Sequence, residues 1–187
     1  MMGIIFTEFL ELVEDKFNYG VVDQLLNECD LDSGGIYTSV GTYDHEELVD
    51  MVIKLSDISN TPTNELMKIF GQYLFPRLIE AHGELVKDIN DSLTLISRVD
   101  NYVHVEVLKL YPNADLPSFQ ANRISENELQ LNYSSKKPLA SFAEGMMYGC
   151  AEYFDEHFEI KRSNGVNDSE TNVHFQIIRH ISNADHA

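Results

Sequence analysis

Basic residues are scarce in this 187-residue sequence. Lys and Arg number 13 against 31 Asp and Glu, for a formal net charge of −18. Phosphate contacts need a basic face, so the balance argues against a nucleic-acid binder and equally against docking on anionic lipid. Long apolar runs are missing as well. No stretch approaches the roughly 18 uninterrupted apolar residues of a membrane span. The opening Met1-Met2-Gly3-Ile4-Ile5-Phe6-Thr7-Glu8 lacks a basic n-region and turns acidic at once, so no signal peptide is expected. Two cysteines, Cys29 and Cys150, cannot make a disulfide framework. Neither belongs to a Cys-x-x-Cys pair, which argues against a closed zinc site. Gly-x-Ser-x-Gly, the P-loop pattern and the dinucleotide glycine fingerprint are all absent. The expectation is a soluble cytosolic domain without a recognisable hydrolase or phosphate-binding motif.

Apolar residues make up 43% of the chain, enough for a real core, and the length suits one compact domain over 1–187. The first two thirds carry helical spacing. Ile5, Phe9, Leu12, Val13 and Phe17 predict one buried face, and a Leu25-centred helix follows from Val21 to about Cys29. His45 to Ile58 has Leu48, Met51, Val52 and Leu55 on one stripe. Thr61 before Pro62 reads as an N-cap followed by proline at the first helical position, and Pro76 as a kink or break further on. Ser92 to Tyr111 is another helical pattern, stopped by Pro112.

The period then changes. Ser118 to Ser125 and Glu128 to Ser134 read as strands, with Leu129, Leu131 and Tyr133 alternating strictly. A helix is predicted from about Leu139 to Phe154, with Phe142, Met146 and Cys150 on one face. Strands at Phe158 to Ser163 and around Val173, Phe175 and Ile177 complete the pattern, with Asn164 to Thr171 as an exposed loop. Helices followed by strand–strand–helix–strand–strand predict an α+β fold with a four-stranded antiparallel sheet.

Most of the seven histidines, such as His45, His157, His174 and His186, sit in polar company and read as surface. His104 differs. It lies inside the 92–111 helix beside the apolar stripe Ile96, Val99, Val103 and Val107, with Asp100 and Leu108 one turn away. A histidine at a helix–core boundary is more often a satisfied core residue than a ligand. The functional alternative is a neutral imidazole ligating haem iron in an apolar pocket.

Several features occur in one order and spacing: Gly3-Ile4-Ile5-Phe6, Tyr102-Val103-His104 running into Tyr111-Pro112, Leu116-Pro117, and Tyr133-Ser134-Ser135-Lys136-Lys137 before a helix containing Gly145. Together they resemble the H-NOX family, the haem nitric oxide/oxygen-binding domains of bacteria and of soluble guanylate cyclase. The resemblance spans nearly the whole chain. It implies a helical N-terminal subdomain (about 1–65) over an α+β C-terminal one (about 66–187), with haem b between them and His104 as proximal iron ligand. The family's Tyr-x-Ser-x-Arg motif, which grips the haem propionates, falls on Tyr133, Ser135 and Lys137. Here lysine replaces arginine, keeping the charge but losing the planar fork. Pro117 corresponds to the proline that presses on the haem, Ile5 to its partner on the pocket wall, and Gly145 to a small residue near the proximal histidine. Some members carry a Cys/His zinc cluster near the C-terminus. No cysteine follows Cys150, so none is expected.

The resemblance also bears on the ligand. Retaining dioxygen takes a hydrogen-bond donor on the distal side, whereas nitric oxide and carbon monoxide are held without one. The family's distal tyrosine position falls on Phe142, its supporting positions on Phe9 and Leu74, and Met146 lies on the same helix face; all are apolar. Nitric oxide is therefore the expected ligand, carbon monoxide also binds, and oxygen binds poorly. Loss of the iron–His104 bond would carry the signal, without catalysis, to a histidine kinase or a diguanylate cyclase/phosphodiesterase. Residues 1–50 hold 12 acidic residues and one lysine, either a solvated face or a docking surface for an electropositive partner. No distal acid/base group supports a peroxidase or oxygenase. A haem-free interaction or apolar-ligand domain of the same fold is the alternative, and Lys137 is the feature that favours it.

Overall fold

The computed structural model describes residues 1–164 and 170–180. Two compact units are present, Met1–Phe70 and Gly71–Ala187, and the division falls inside helix α4.

In the first unit, α1 spans Gly3–Lys16, α2 Tyr19–Glu28 and α3 His45–Ser59, and α4 (Thr63–His82) begins here. The buried stripe of α1 is Phe6, Phe9, Leu12 and Val13. It is centred one residue beyond the expected face, leaving Ile5 half-buried and Phe17 exposed. The shift follows from the loop before α3, where Tyr37 stacks on Phe6 at 4.6 Å and Tyr43 meets it edge-on at 5.5 Å. Gly3 makes this possible. A Cβ there would fall 1.9 Å from the Thr38 carbonyl oxygen, and its amide donates to Gly41 O at 2.8 Å. Glu47, also buried, is satisfied by hydroxyls from Ser33 (2.5 Å) and Tyr37 (2.6 Å). Helix α3 ends on Asn60 in the left-handed conformation, which asparagine tolerates. Pro62 does not occupy the first helical position. Its carbonyl accepts from Glu65 and Leu66, so it stands where a cap would.

The second unit contains the rest of α4, a 3-10 turn at Gly83–Leu85, α5 (Ser92–Arg98) and α6 (His104–Leu110). Strands β1 (Ser118–Ser125) and β2 (Glu128–Ser134) follow, then α7 (Ala140–Tyr153), β3 (His157–Asn164) and β4 (Asn172–His180). The sheet is antiparallel throughout, in the order β1-β2-β4-β3. Leu129, Leu131 and Tyr133 pair with Ile177, Phe175 and Val173, so the alternating apolar sets of β2 and β4 share one face. That face packs with Leu93 and Ile96 of α5 and with Ala143, Met147 and Cys150 of α7. Residues 165–169 of the expected 164–171 loop, and His186, lie outside the described residues.

Pro76 does not break α4. A proline has no amide to donate to the carbonyl four residues earlier, here Gln72. Helix α7 approaches at that point through Gly149, whose Cβ, if present, would fall 2.8 Å from Gln72 O. A similar approach occurs at Gly71, where a Cβ would lie 2.3 Å from Phe142 O and 3.0 Å from the carbonyl carbon of Gly145. Gly71 of α4 and Gly149 of α7 let the two backbones meet, which accounts for a glycine inside each helix despite a cost of about 1 kcal/mol relative to alanine.

Candidate functional site

The helical run bearing His104 is not regular. Asp91 caps its start, accepting from the Thr94 amide at 2.9 Å and the Thr94 hydroxyl at 2.5 Å. After Arg98 the ladder widens into a π-turn over Val99–Val103, closed by the His104 amide donating to Val99 O. Single π-turns are frequent at functional sites because they re-aim the side chains that follow. Here the turn delivers His104, whose side chain is 14% exposed. Its Nδ1 lies 3.6 Å from Asp100 Oδ1, near but beyond a formed hydrogen bond. Asp100 is itself held by the sheet, since its Oδ1 accepts from the Phe119 amide of β1 at 3.1 Å. Burial pushes the His104 pKa down, and Asp100 opposes this without reversing it. The imidazole is thus neutral at physiological pH, with a ring-nitrogen lone pair available to a metal.

Phe119 links this histidine to the second candidate cluster. Its ring centroid lies 5.7 Å from His104 and 5.5 Å from Tyr133. Tyr133 is buried at the end of β2, and burial raises its phenol pKa. Beyond it the chain turns: Ser135 Oγ accepts from the Lys137 amide at 3.0 Å, and the Tyr133 hydroxyl points to Lys137 O at 3.5 Å. Lys137, 12% exposed, reaches Asp115, with Nζ 3.0 Å from its carbonyl oxygen and 3.1 Å from Oδ2. Asp115 lies two residues before the half-buried Pro117, in the α6–β1 connection. A chain of ring contacts thus runs from His104 through Phe119 to Tyr133 at the start of the Ser135–Lys137 turn, and Lys137 ties that turn to the Asp115–Pro117 segment.

On α7, Phe142 and Met146 are half-buried, whereas the fully buried stripe is Ala140, Ala143, Met147 and Cys150. The predicted face of Phe142, Met146 and Cys150 is thus only partly in the core. Leu74 of α4 is fully buried. In the first unit, Phe9 is buried against Phe70 at 5.3 Å and Ile5 is half-buried. Three residues of the second unit were not singled out as site residues from the sequence: Asp100, Phe119 and Asp115. Only Asp100 left a signal, one helical turn before the histidine.

The donor set suits a porphyrin with two carboxylates. Among the described residues no group of three or more His, Cys, Asp or Glu could hold a metal ion. An ion bound by His104 would thus need its other ligands from elsewhere, as a macrocycle supplies them. Two hydroxyls and an ammonium are the groups that bind carboxylates at the edge of an apolar slot.

A family model described as Haem-NO-binding matches residues 2–162. Among solved structures, the unliganded Fe(II) H-NOX protein from K. algicida is 33% identical with a TM-score of 0.94, covering 100% of both chains. The IWP-051-bound H-NOX from Shewanella woodyi, in the Fe(II)CO state, is 51% identical with a TM-score of 0.82, covering 99% of this chain and 97% of its own. An H-NOX protein from S. oneidensis in the Fe(II)NO state is 28% identical with a TM-score of 0.89, covering 97% of this chain and 100% of its own. A search of curated proteins finds no match.

Proposed function

The chain belongs to the Haem-NO-binding (H-NOX) family of haem-based gas-sensing domains, and on that premise we propose that it holds haem b through His104 and senses nitric oxide. The observation that carries this reading is the neutral, half-buried imidazole of His104, joined through the ring of Phe119 to Tyr133 at the start of the Ser135–Lys137 turn. When bound, the haem would be held at its iron by His104 and would supply a ferrous centre able to take up a diatomic gas.

The remaining roles belong to the protein. His104 holds the metal, Asp100 orients the ring, and the β1 amide of Phe119 holds Asp100. Tyr133, Ser135 and Lys137 receive the propionates. By the same resemblance, Pro117 of the α6–β1 connection would meet the ring, Ile5 would be its partner, and Gly145 would be the small residue near His104. Phe142, Met146, Leu74 and Phe9 offer no hydrogen-bond donor, which favours nitric oxide and carbon monoxide over dioxygen. Were the hold on His104 to loosen, α6 could shift against β1, which it meets through the His104–Phe119 ring contact. That movement signals only if a partner binds one state better than the other. The partner implied by the family is a histidine kinase or a diguanylate cyclase/phosphodiesterase. No described helix is long and apolar enough to cross a membrane, and a cytoplasmic site of action fits this reading.

Purified protein reconstituted with hemin and reduced should show an intense Soret band that shifts with nitric oxide and stays unchanged in air. His104→Ala should abolish the native ferrous spectrum. A wild-type protein that stays colourless after reconstitution would overturn the haem reading in favour of an interaction domain of the same fold.

A further inference from the structure

The Lys137 ammonium has three N–H groups to give. Two atoms of Asp115 already claim it, the main-chain oxygen at 3.0 Å and Oδ2 at 3.1 Å. On the haem reading above, the same side chain is the one assigned to a propionate. An arginine has five donors in a fixed fork and can serve several acceptors at once, whereas a lysine is a single point charge. From this geometry we propose that Asp115 competes with a haem propionate for Lys137, making this aspartate a determinant of how firmly the cofactor is retained. The inference rests on the haem reading above.

Three observations support it. Asp115 is held ionised by Lys137, whose hydrogen bond and charge draw its pKa below the usual carboxylate range, so the competitor is charged throughout the physiological range. Its side chain is 54% exposed while that of Lys137 is 12% exposed. The lysine is therefore the confined partner, and the aspartate can swing into water when a second carboxylate arrives. Lys136 is exposed beside the turn and its charge also lowers the Asp115 pKa, which lets it take over part of the aspartate's charge after the exchange. Substituting asparagine for Asp115 keeps the main-chain contact and the side-chain size but removes the competing charge.

The test is the rate at which ferric protein gives haem to excess apomyoglobin, followed by absorbance for wild type, Asp115→Asn, Lys137→Met and the double variant. Asp115→Asn should slow transfer by about fivefold, the scale of one solvent-screened ion pair. Lys137→Met should speed transfer, and in that background Asp115→Asn should change nothing, because the contested ammonium is gone. Raising ionic strength should narrow the gap between wild type and Asp115→Asn. Equal or faster transfer from Asp115→Asn, or the same slowing in the Lys137→Met background, would overturn the competition while leaving the haem reading intact. A wild type that takes up no hemin would remove both.

Discussion

Two opposing influences act on the imidazole of His104. Burial disfavours the charged ring, Asp100 favours it, and burial wins because the carboxylate stands 3.6 Å away and is itself a third exposed. The same carboxylate would accept a hydrogen bond from Nδ1–H when the ring's other nitrogen holds a metal, which raises the ligand's basicity. Asp100→Asn should therefore weaken the iron–histidine bond. The iron–histidine stretching band in the resonance Raman spectrum should move to lower frequency, and haem affinity should fall by about tenfold, the lower end for loss of such a partner. An unmoved band would detach Asp100 from the site. His104 stands out in the sequence by its apolar company, but its role as a ligand, like the roles of Tyr133, Ser135 and Lys137, comes only from the resemblance to the H-NOX family. Phe119 and Asp115 do not stand out, because nothing local marks a residue whose partner lies 14 or 22 positions away.

Among the elements, the two helices that flank the sheet are capped in contrasting ways. Helix α5 begins on Asp91, which bonds Thr94 three residues on, a signal readable from spacing alone. Helix α7 has no side-chain cap from Leu139. Instead the carboxylate of Glu170, just before β4, accepts from the Ser141 amide at 2.7 Å and its hydroxyl at 3.1 Å. Arg162 of β3 pairs with Glu170, donates to Ser141 Oγ at 2.9 Å, and lies 3.7 Å from the buried Glu144. Glu170→Ala removes both the cap and one of the two carboxylates beside Arg162. It should cost about 2 kcal/mol in urea denaturation, more than a simple cap and less than a fully buried pair. A loss under about 0.5 kcal/mol, the range of ordinary surface changes, would mean Glu170 does not anchor α7. Strand bounds were readable because alternation of Leu129, Leu131 and Tyr133 needs only one solvated face. The π-turn before His104 was not, since an extra residue in one turn leaves the apolar pattern of the flanking helices almost unchanged.

For the molecule as a whole, the excess of carboxylates dominates. Several ion pairs, Lys87–Glu84 and Lys109–Glu106 among them, join neighbours on one helical turn at the surface, where each contributes little. Self-repulsion at a net charge of −18 is spread over the whole surface and is what added salt screens. The melting temperature should therefore rise by about 2–4 °C, equivalent to roughly 1 kcal/mol at this size, between low salt and physiological ionic strength. A fall would show that ion pairs such as Arg179–Glu156, 2.9 Å apart and half-buried, outweigh the repulsion.

The amino-acid order by itself determined the α+β class and the strands, because these depend on periodicity and on residues close along the chain. Only the tertiary structure decided that Pro76 stays within α4, that Glu170 caps α7, and that Asp115 pairs with Lys137. Each of those depends on a partner far along the chain, and proximity between distant residues is a property of packing that no local pattern encodes.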